Sequence, residues 1–524
     1  MRLKIFALKS AVSRPRNILL CLISACITLN SSPTLGQNPK TLAEVQQIVK
    51  TYCGACHAVP SPSVMPRKDW PYAVKRMAEL AAERAGRELI SEEHIRDITA
   101  YYYGSSPEAL GVLPIDESAG PLNFSFNEWA STGVFPLISH IQSTNLRGKG
   151  TEFLVCDAES NEVRLLYKKG KTWREQTLAN IALPAHTEVL DYDQDGDMDI
   201  IVSSLGKFFP PVSLDIGKVI LLRQQKKGKF TQEILLENVP RVLQTRAMDV
   251  DEDGDPDLLV SIFGNNQYGE IAWLENRGKE KPLKHSILAL SGSLNVSPVD
   301  LNGDGRLDIV SLISQEYEMI VAMINKGKGE FDKSVIFQAP EPMIGSTSLE
   351  LYDIDGDKDM DMLFTNGDAH DLQTDPKPYH GVQWLENQGN MKFTFHRLDR
   401  FYGAVKAKAT DMDLDGDMDI VVASWNNLWD DPERQTLIWL ENDGKQNFSR
   451  HRLLSRPHSV VNFELIDMNN DRYPDIVAGI FKIDLLKNKV EIENGMEKGE
   501  GESFDFKSKK TRIMYLENSG LPKK

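Results

Sequence analysis

A nonapeptide of alternating carboxylates sets the narrowest limit on what this chain can become. It runs Asp191-Tyr192-Asp193-Gln194-Asp195-Gly196-Asp197-Met198-Asp199. It returns with starts at residues 249, 300, 353, 411 and 467, so its six copies lie 51 to 58 residues apart. Self-similarity at such a period means a repeat architecture, in which each unit buries its apolar surface against the next. Each copy sits in the same surroundings. An alternating strand precedes it and a β-branched strand follows, as in Asp199-Ile200-Ile201-Val202 or Asp419-Ile420-Val421-Val422. A variable loop comes next. Then comes a strand ending as Trp273-Leu274-Glu275-Asn276, Trp384-Leu385-Glu386-Asn387, Trp439-Leu440-Glu441-Asn442 or Tyr515-Leu516-Glu517-Asn518, and a last strand such as residues 393–398. Four strands per fifty-odd residues make one blade of a β-propeller. Residues 134–180 read as a further blade with a degenerate loop near Thr144, which brings the count to seven. The last blade stops after Asn518 without a fourth strand. Residues 124–129 (Phe124 to Trp129) supply it from the other end of the chain, closing the ring and removing an open edge.

Side-chain oxygens at positions 1, 3, 5 and 9, with a sharp turn at position 6, are suited to wrap one hard cation. The expected calcium ligands are Asp191, Asp193, Asp195 and Asp199; Asp249, Asp251, Asp253 and Asp257; and Asp300, Asn302, Asp304 and Asp308. They continue with Asp353, Asp355, Asp357 and Asp361; Asp411, Asp413, Asp415 and Asp419; and Asp467, Asn469, Asp471 and Asp475, for up to six ions. An EF-hand is excluded, because a strand follows each loop and position 12 is not Glu. Glycine supplies the turn in four copies. Lys358 and Arg472 replace it in the others, so those loops should bind more weakly or adopt a different turn. On these motifs residues 122–524 resemble the FG-GAP/VCBS repeat family, as in integrin-α-type propellers. That resemblance implies a calcium-binding propeller. It does not imply one activity, since the family includes adhesins, lyases and dehydratases.

Near the N-terminus stands Cys53-Gly54-Ala55-Cys56-His57. C-x-x-C-H places two thiols one helical turn apart beside an imidazole. Each thiol can add to a haem vinyl group, and the histidine then falls under the iron. A zinc site is disfavoured because no second C-x-x-C exists. A redox disulfide is disfavoured because no βαβ pattern surrounds the motif. Residues 41–51 and 92–103 read as flanking helices. The unit of residues 37–110 resembles a small monohaem class I cytochrome c domain. That resemblance implies one covalent haem c and a distal sulfur ligand. Met65 and Met77 are available. Met77 is favoured, because its spacing after Trp70 is similar to the W…M element of cytochrome domains fused to repeat proteins. Residues 111–121 are a linker.

Residues 1–36 read as an export signal. Five basic residues precede a short apolar stretch from Ile18 to Leu29, too short to span a bilayer. Ile23-Ser24-Ala25-Cys26 also fits a lipobox, which would leave a lipid anchor on Cys26. Either way the mature chain carries no expected membrane span and belongs in the periplasm or outside the cell. Cys156, alone in an apolar run, reads as a small buried hydrophobe. The formal charge of −16 argues against nucleic-acid partners.

The loops opposite the aspartate turns are long and rich in polar and aromatic residues: 208–213, 366–380, 425–431 and a charged insertion at 486–510. On the preceding strands, positions five and three before each aspartate loop are polar in every copy: His186 and Glu188, Gln244 and Arg246, Asn295 and Ser297, Ser348 and Glu350, Lys406 and Lys408, Asn462 and Glu464. Residues two apart share a face, so these line a central channel. His186, His380, Asp368 and Lys406 are the candidates for catalysis at its mouth. Two readings follow. One is an electron-transfer protein whose propeller docks a redox partner, an envelope protein or a polysaccharide. The alternative is a carbohydrate-active oxidoreductase or lyase on the loop face, with the haem as electron acceptor.

Overall fold

The computed structural model describes residues 40–114, 118–131, 136–170, 172–207, 214–226, 228–264, 268–315, 317–368, 377–425, 435–455, 459–481 and 510–521. The export signal with Cys26, the loop 208–213, the segments 369–376 and 426–434 and the insertion 482–509 lie outside them.

Among the described residues the chain forms seven four-stranded antiparallel sheets after a small helical unit. Sheets 1 to 6 each use four consecutive strands and start at Ile138, Pro184, Val242, Ser297, Ser346 and Ala404. Sheet 7 joins Val460–Ile466, Asp475–Ile480 and Lys510–Asn518 to the strand Phe124–Ser131, which pairs antiparallel with Lys510–Asn518 from Phe124 opposite Asn518 onward. The first and last parts of the propeller are therefore held together by a backbone ladder.

The second strand of every sheet is buried from end to end, as in Asp257–Ile262 and Asp419–Ser424. Neighbouring sheets cover both its faces, which is why its sequence is a continuous apolar run. Side chains from adjacent sheets interlock at every junction. Leu363 and Trp384 of sheet 5 meet Ala407 and Val422 of sheet 6, and Val477 and Ile513 of sheet 7 meet Ile138 and Phe153 of sheet 1. Cys156 is fully enclosed in the cluster between sheets 1 and 2, and burial pushes its thiol pKa up.

The helical unit comprises α1 (Leu42–Cys53), α2 (Trp70–Ala85) and α3 (Glu92–Ser105). Thr41 and Glu44 form a capping box at the start of α1, and the Ser91 side chain accepts the His94 N–H at the start of α3. Trp70 and Tyr102 stack at 3.8 Å over a core that includes Val49, Met65 and Ile98. The linker then crosses sheet 6. The Leu113 N–H donates to the Tyr402 hydroxyl at 2.9 Å, and the Arg452 N–H donates to Ser118 O at 2.7 Å.

The aspartate turns all connect first to second strands, on one face of the ring. The helical unit sits on the opposite face, over the connections of sheets 4 and 5. No helix among the described residues is long and apolar enough to cross a membrane.

Candidate functional site

The C-x-x-C-H segment begins where α1 ends. Cys53 is the last residue of the helix, and the Gly54 N–H caps it by donating to Lys50 O at 3.2 Å. A β-carbon on Gly54 would lie 2.5 Å from that carbonyl, so a larger residue here would force the helix end to shift. The turn brings Cys53, Cys56 and His57 to one wall of a cavity of about 320 Å³. The His57 Nδ1 lies 2.7 Å from Ala58 O. A carbonyl can only accept, so Nδ1 is the donor in this contact, and in the neutral ring that leaves Nε2 as the atom able to ligate a metal. Burial raises the Cys53 thiol pKa, against a hydrogen bond with Tyr102.

α2 makes a second wall. Trp70, Ala73, Val74, Met77, Leu80, Ala81 and Arg84 all line the cavity, at the spacing of one helical stripe. Met77 is on that stripe and 42 % exposed. Met65 is fully buried in the helical core and does not line the cavity. The remaining wall is propeller: Gln315, Glu318, Pro342, Met343, Gly345, Asp368 and Lys377.

On the other face the six aspartate turns share one construction. Positions 4 and 6 are left-handed in all of them. The first Asp accepts loop N–H groups, as Asp411 does from Asp415 and Gly416 at 3.1 Å each. The fifth accepts the N–H at position 7, as Asp304 does from Arg306 at 3.0 Å. In four turns three carboxylates come within 4.8 Å of one another: Asp191, Asp193 and Asp195; Asp249, Asp251 and Asp257; Asp353, Asp355 and Asp357; and Asp411, Asp413 and Asp419. In the third turn Arg306 pairs with Asp304 at 2.8 Å, so a protein cation already sits beside that carboxylate.

Two features of these turns differ from the sequence reading. Lys358 and Arg472 do not impose another geometry. Their φ values of 79° and 82° match glycine in the other copies, so the repeat overrides their preference. The ninth Asp, expected only as a cation ligand, is also a pin. Asp419 accepts the Met412 N–H at 3.0 Å and the Asn442 N–H at 2.8 Å. Asp257, Asp308, Asp361 and Asp475 repeat this pair of bonds, each with the Asn that ends the third strand. That Asn then bonds onward. Asn442 donates from Nδ2 to Met418 O and accepts the Gln446 N–H. Burial pushes Asp257 and Asp419 up to about 7, although these bonds favour the anion.

Three segments, residues 249–311, 300–364 and 411–478, match the FG-GAP-like repeat family. The propeller carries FG-GAP-like repeats. No curated protein sequence matches the chain. Among solved structures, selenomethionine-substituted virginiamycin B lyase from Staphylococcus aureus is similar in fold, at 12 % identity and a TM-score of 0.45, over 68 % of this chain and 96 % of that one.

The four catalytic candidates come from two kinds of element in the FG-GAP-like propeller. His186 and Lys406 stand on innermost strands in the channel, while Asp368 and His380 belong to the connection of sheet 5 on the loop face. His380 is fully buried, and its Nδ1 accepts the Lys377 N–H at 3.3 Å. The channel is a lattice of ion pairs. Lys406 pairs with Glu350, Lys408 with Glu464 at 3.1 Å and Arg246 with Glu188 at 3.3 Å. His140 of sheet 1, absent from the sequence-derived set because its blade lacks the aspartate loop, completes the ring. It packs against His186 with the rings tilted by 44° and their centroids 4.6 Å apart. Burial, aided by Lys408, Lys406 and Arg246, pushes His140 down to about 3 and His186 well below the usual range.

Proposed function

We propose that this chain is an exported c-type haem protein for electron transfer, built on a calcium-braced propeller that binds a partner on its loop face. The observation that carries the reading is the convergence of both thiols, the His57 imidazole and Met77 on one largely apolar cavity. The residues fit a covalent haem: Cys53 and Cys56 as thioether donors, His57 through its free Nε2 as proximal ligand and Met77 as distal ligand. When bound, haem supplies one-electron redox chemistry. The chain's own residues would do the rest. Trp70, Leu80, Ile90 and Ile98 would give the haem an apolar lining, and Ala58 O would orient the His57 ring.

The aspartate turns would hold calcium through the first, third, fifth and ninth positions. FG-GAP-like propellers are typically extracellular or periplasmic, which agrees with residues 1–36 acting as an export signal. A redox partner protein or an envelope polymer is the expected partner.

The test is optical. In the purified protein, Met77→Ala should abolish the sulfur–iron charge-transfer band, and Met65→Ala should leave it. The opposite pattern would contradict the ligand assignment. Reduction of the haem by a candidate sugar alone, with no partner protein, would replace electron transfer by an oxidoreductase reading.

A further inference from the structure

The cavity lined by Cys53, Cys56, His57 and Met77 is walled on one side by the propeller, and two of the charges on that wall are buried. Lys377 and Glu318 are each only 4 % exposed. The contact between helical unit and propeller is specific. The Ser61 N–H donates to Glu341 Oε2 at 3.0 Å. The Tyr379 hydroxyl lies 3.3 Å from Val64 O and 3.2 Å from Met343 O, bridging the two units. Met343 and Tyr379 pack on the core of the helical unit.

Haem carries propionate carboxylates, which need a cation or donors once water is excluded. On α2, Arg84 also lines the cavity, and Arg76 is 35 % exposed and paired with Glu79 at 3.4 Å and Glu83 at 3.5 Å. The Lys377 ammonium is the cation of the propeller wall, and its burial gives it a longer electrostatic reach than an exposed charge. Glu318 and Asp368 share that wall and compete for it.

Resting on the haem reading above, we infer that the propeller is the second half of the haem pocket, with Lys377 as the cation facing a haem carboxylate. It is a positioning residue. The connections of sheets 4 and 5 then set the redox potential, so the FG-GAP-like propeller does more than carry the redox unit.

The experiment is a redox titration of the full-length, haem-loaded protein, read by haem absorption, after covalent attachment has been checked in denaturant. Lys377→Met should retain covalent haem and shift the ferrous/ferric equilibrium toward ferric about tenfold, a fall of about 59 mV for one electron. Lys377→Arg should restore most of it. Glu318→Gln, which removes the opposing charge, should shift the equilibrium the other way. Lys326→Met, at an exposed lysine paired with Asp332, should change nothing. If Lys377→Met fails to fold, the sign of the Glu318→Gln shift decides. Covalent haem with potentials unmoved by Lys377→Met or Glu318→Gln overturns this inference and leaves the haem reading intact. Absence of covalent haem overturns both.

Discussion

The two faces of the propeller are built on opposite plans. On one, six turns repeat almost atom for atom: left-handed residues at positions 4 and 6, a first Asp taking loop N–H groups, and a ninth Asp pinned to the end of the third strand. On the other, the connections differ from sheet to sheet, and those of sheets 4 and 5 meet the helical unit at the cavity. Repetition here marks what holds the ring together. Departure from the repeat marks where the molecule does something particular. A face made of one motif can be disturbed at any copy with a similar cost, whereas each contact on the irregular face has no substitute.

Calcium removal should produce the largest effect, and only on the repeated face. A site saturated at one hundred times its Kd contributes about 2.7 kcal/mol, and several sites act together. Chelation should therefore lower the melting temperature sharply while leaving the haem absorption intact. An unchanged melt would end the structural role assigned to the ions. Next in size, Asp419→Ala orphans the buried N–H groups of Met412 and Asn442. At about 1–3 kcal/mol for each unmet group, it should cost about 2–6 kcal/mol in chemical denaturation with chelator present. A loss below about 1 kcal/mol would mean that the ninth Asp is a cation ligand and little else.

The channel between the faces offers a test in pH. His140 and His186 are held neutral by burial and by Lys406, Lys408 and Arg246, with folded pKa values below the ordinary 6.5. Protonation therefore favours the unfolded chain. Stability that is present above about pH 6.5 is lost as pH falls toward the folded values, by up to about 1.4 kcal/mol per group per pH unit. The urea midpoint should drop over that window, and less steeply in His140→Asn. An equal slope in both proteins would place the acid sensitivity elsewhere. The smallest effect is at position 6. Lys358→Gly should relieve left-handed strain and stabilise by about 1 kcal/mol, whereas Gly416→Ala, at φ 105°, should destabilise. A destabilising Lys358→Gly would mean that the lysine side chain contributes more than its backbone costs.

The repeated half of the molecule was readable from the sequence, because its signals are local. Blade period, the apolar second strands and the terminal Leu-Glu-Asn all lie within one unit, and even the displaced strand Phe124–Ser131 announced itself as the piece sheet 7 lacked. The Asn at the end of the third strand in sheets 3 to 7 was visible in the sequence, but its role was not. It meets the ninth Asp across 17 to 43 residues of chain. His140 was missed for the same reason, since its blade has no aspartate loop to count back from. The stripe of α2 that lines the cavity was present as spacing. The propeller half of that cavity was not, because Lys377 and Met343 reach Cys53 only through the way the two units dock.

The most direct measurement is the absorption of the unfolded protein. Produced from its full sequence in a host that attaches c-type haem to exported proteins, the chain should keep its haem through denaturation and extraction with acidified organic solvent, and a Cys53→Ala, Cys56→Ala double variant should lose it. Haem that leaves the wild-type polypeptide under these conditions, or that never binds it, would contradict the account.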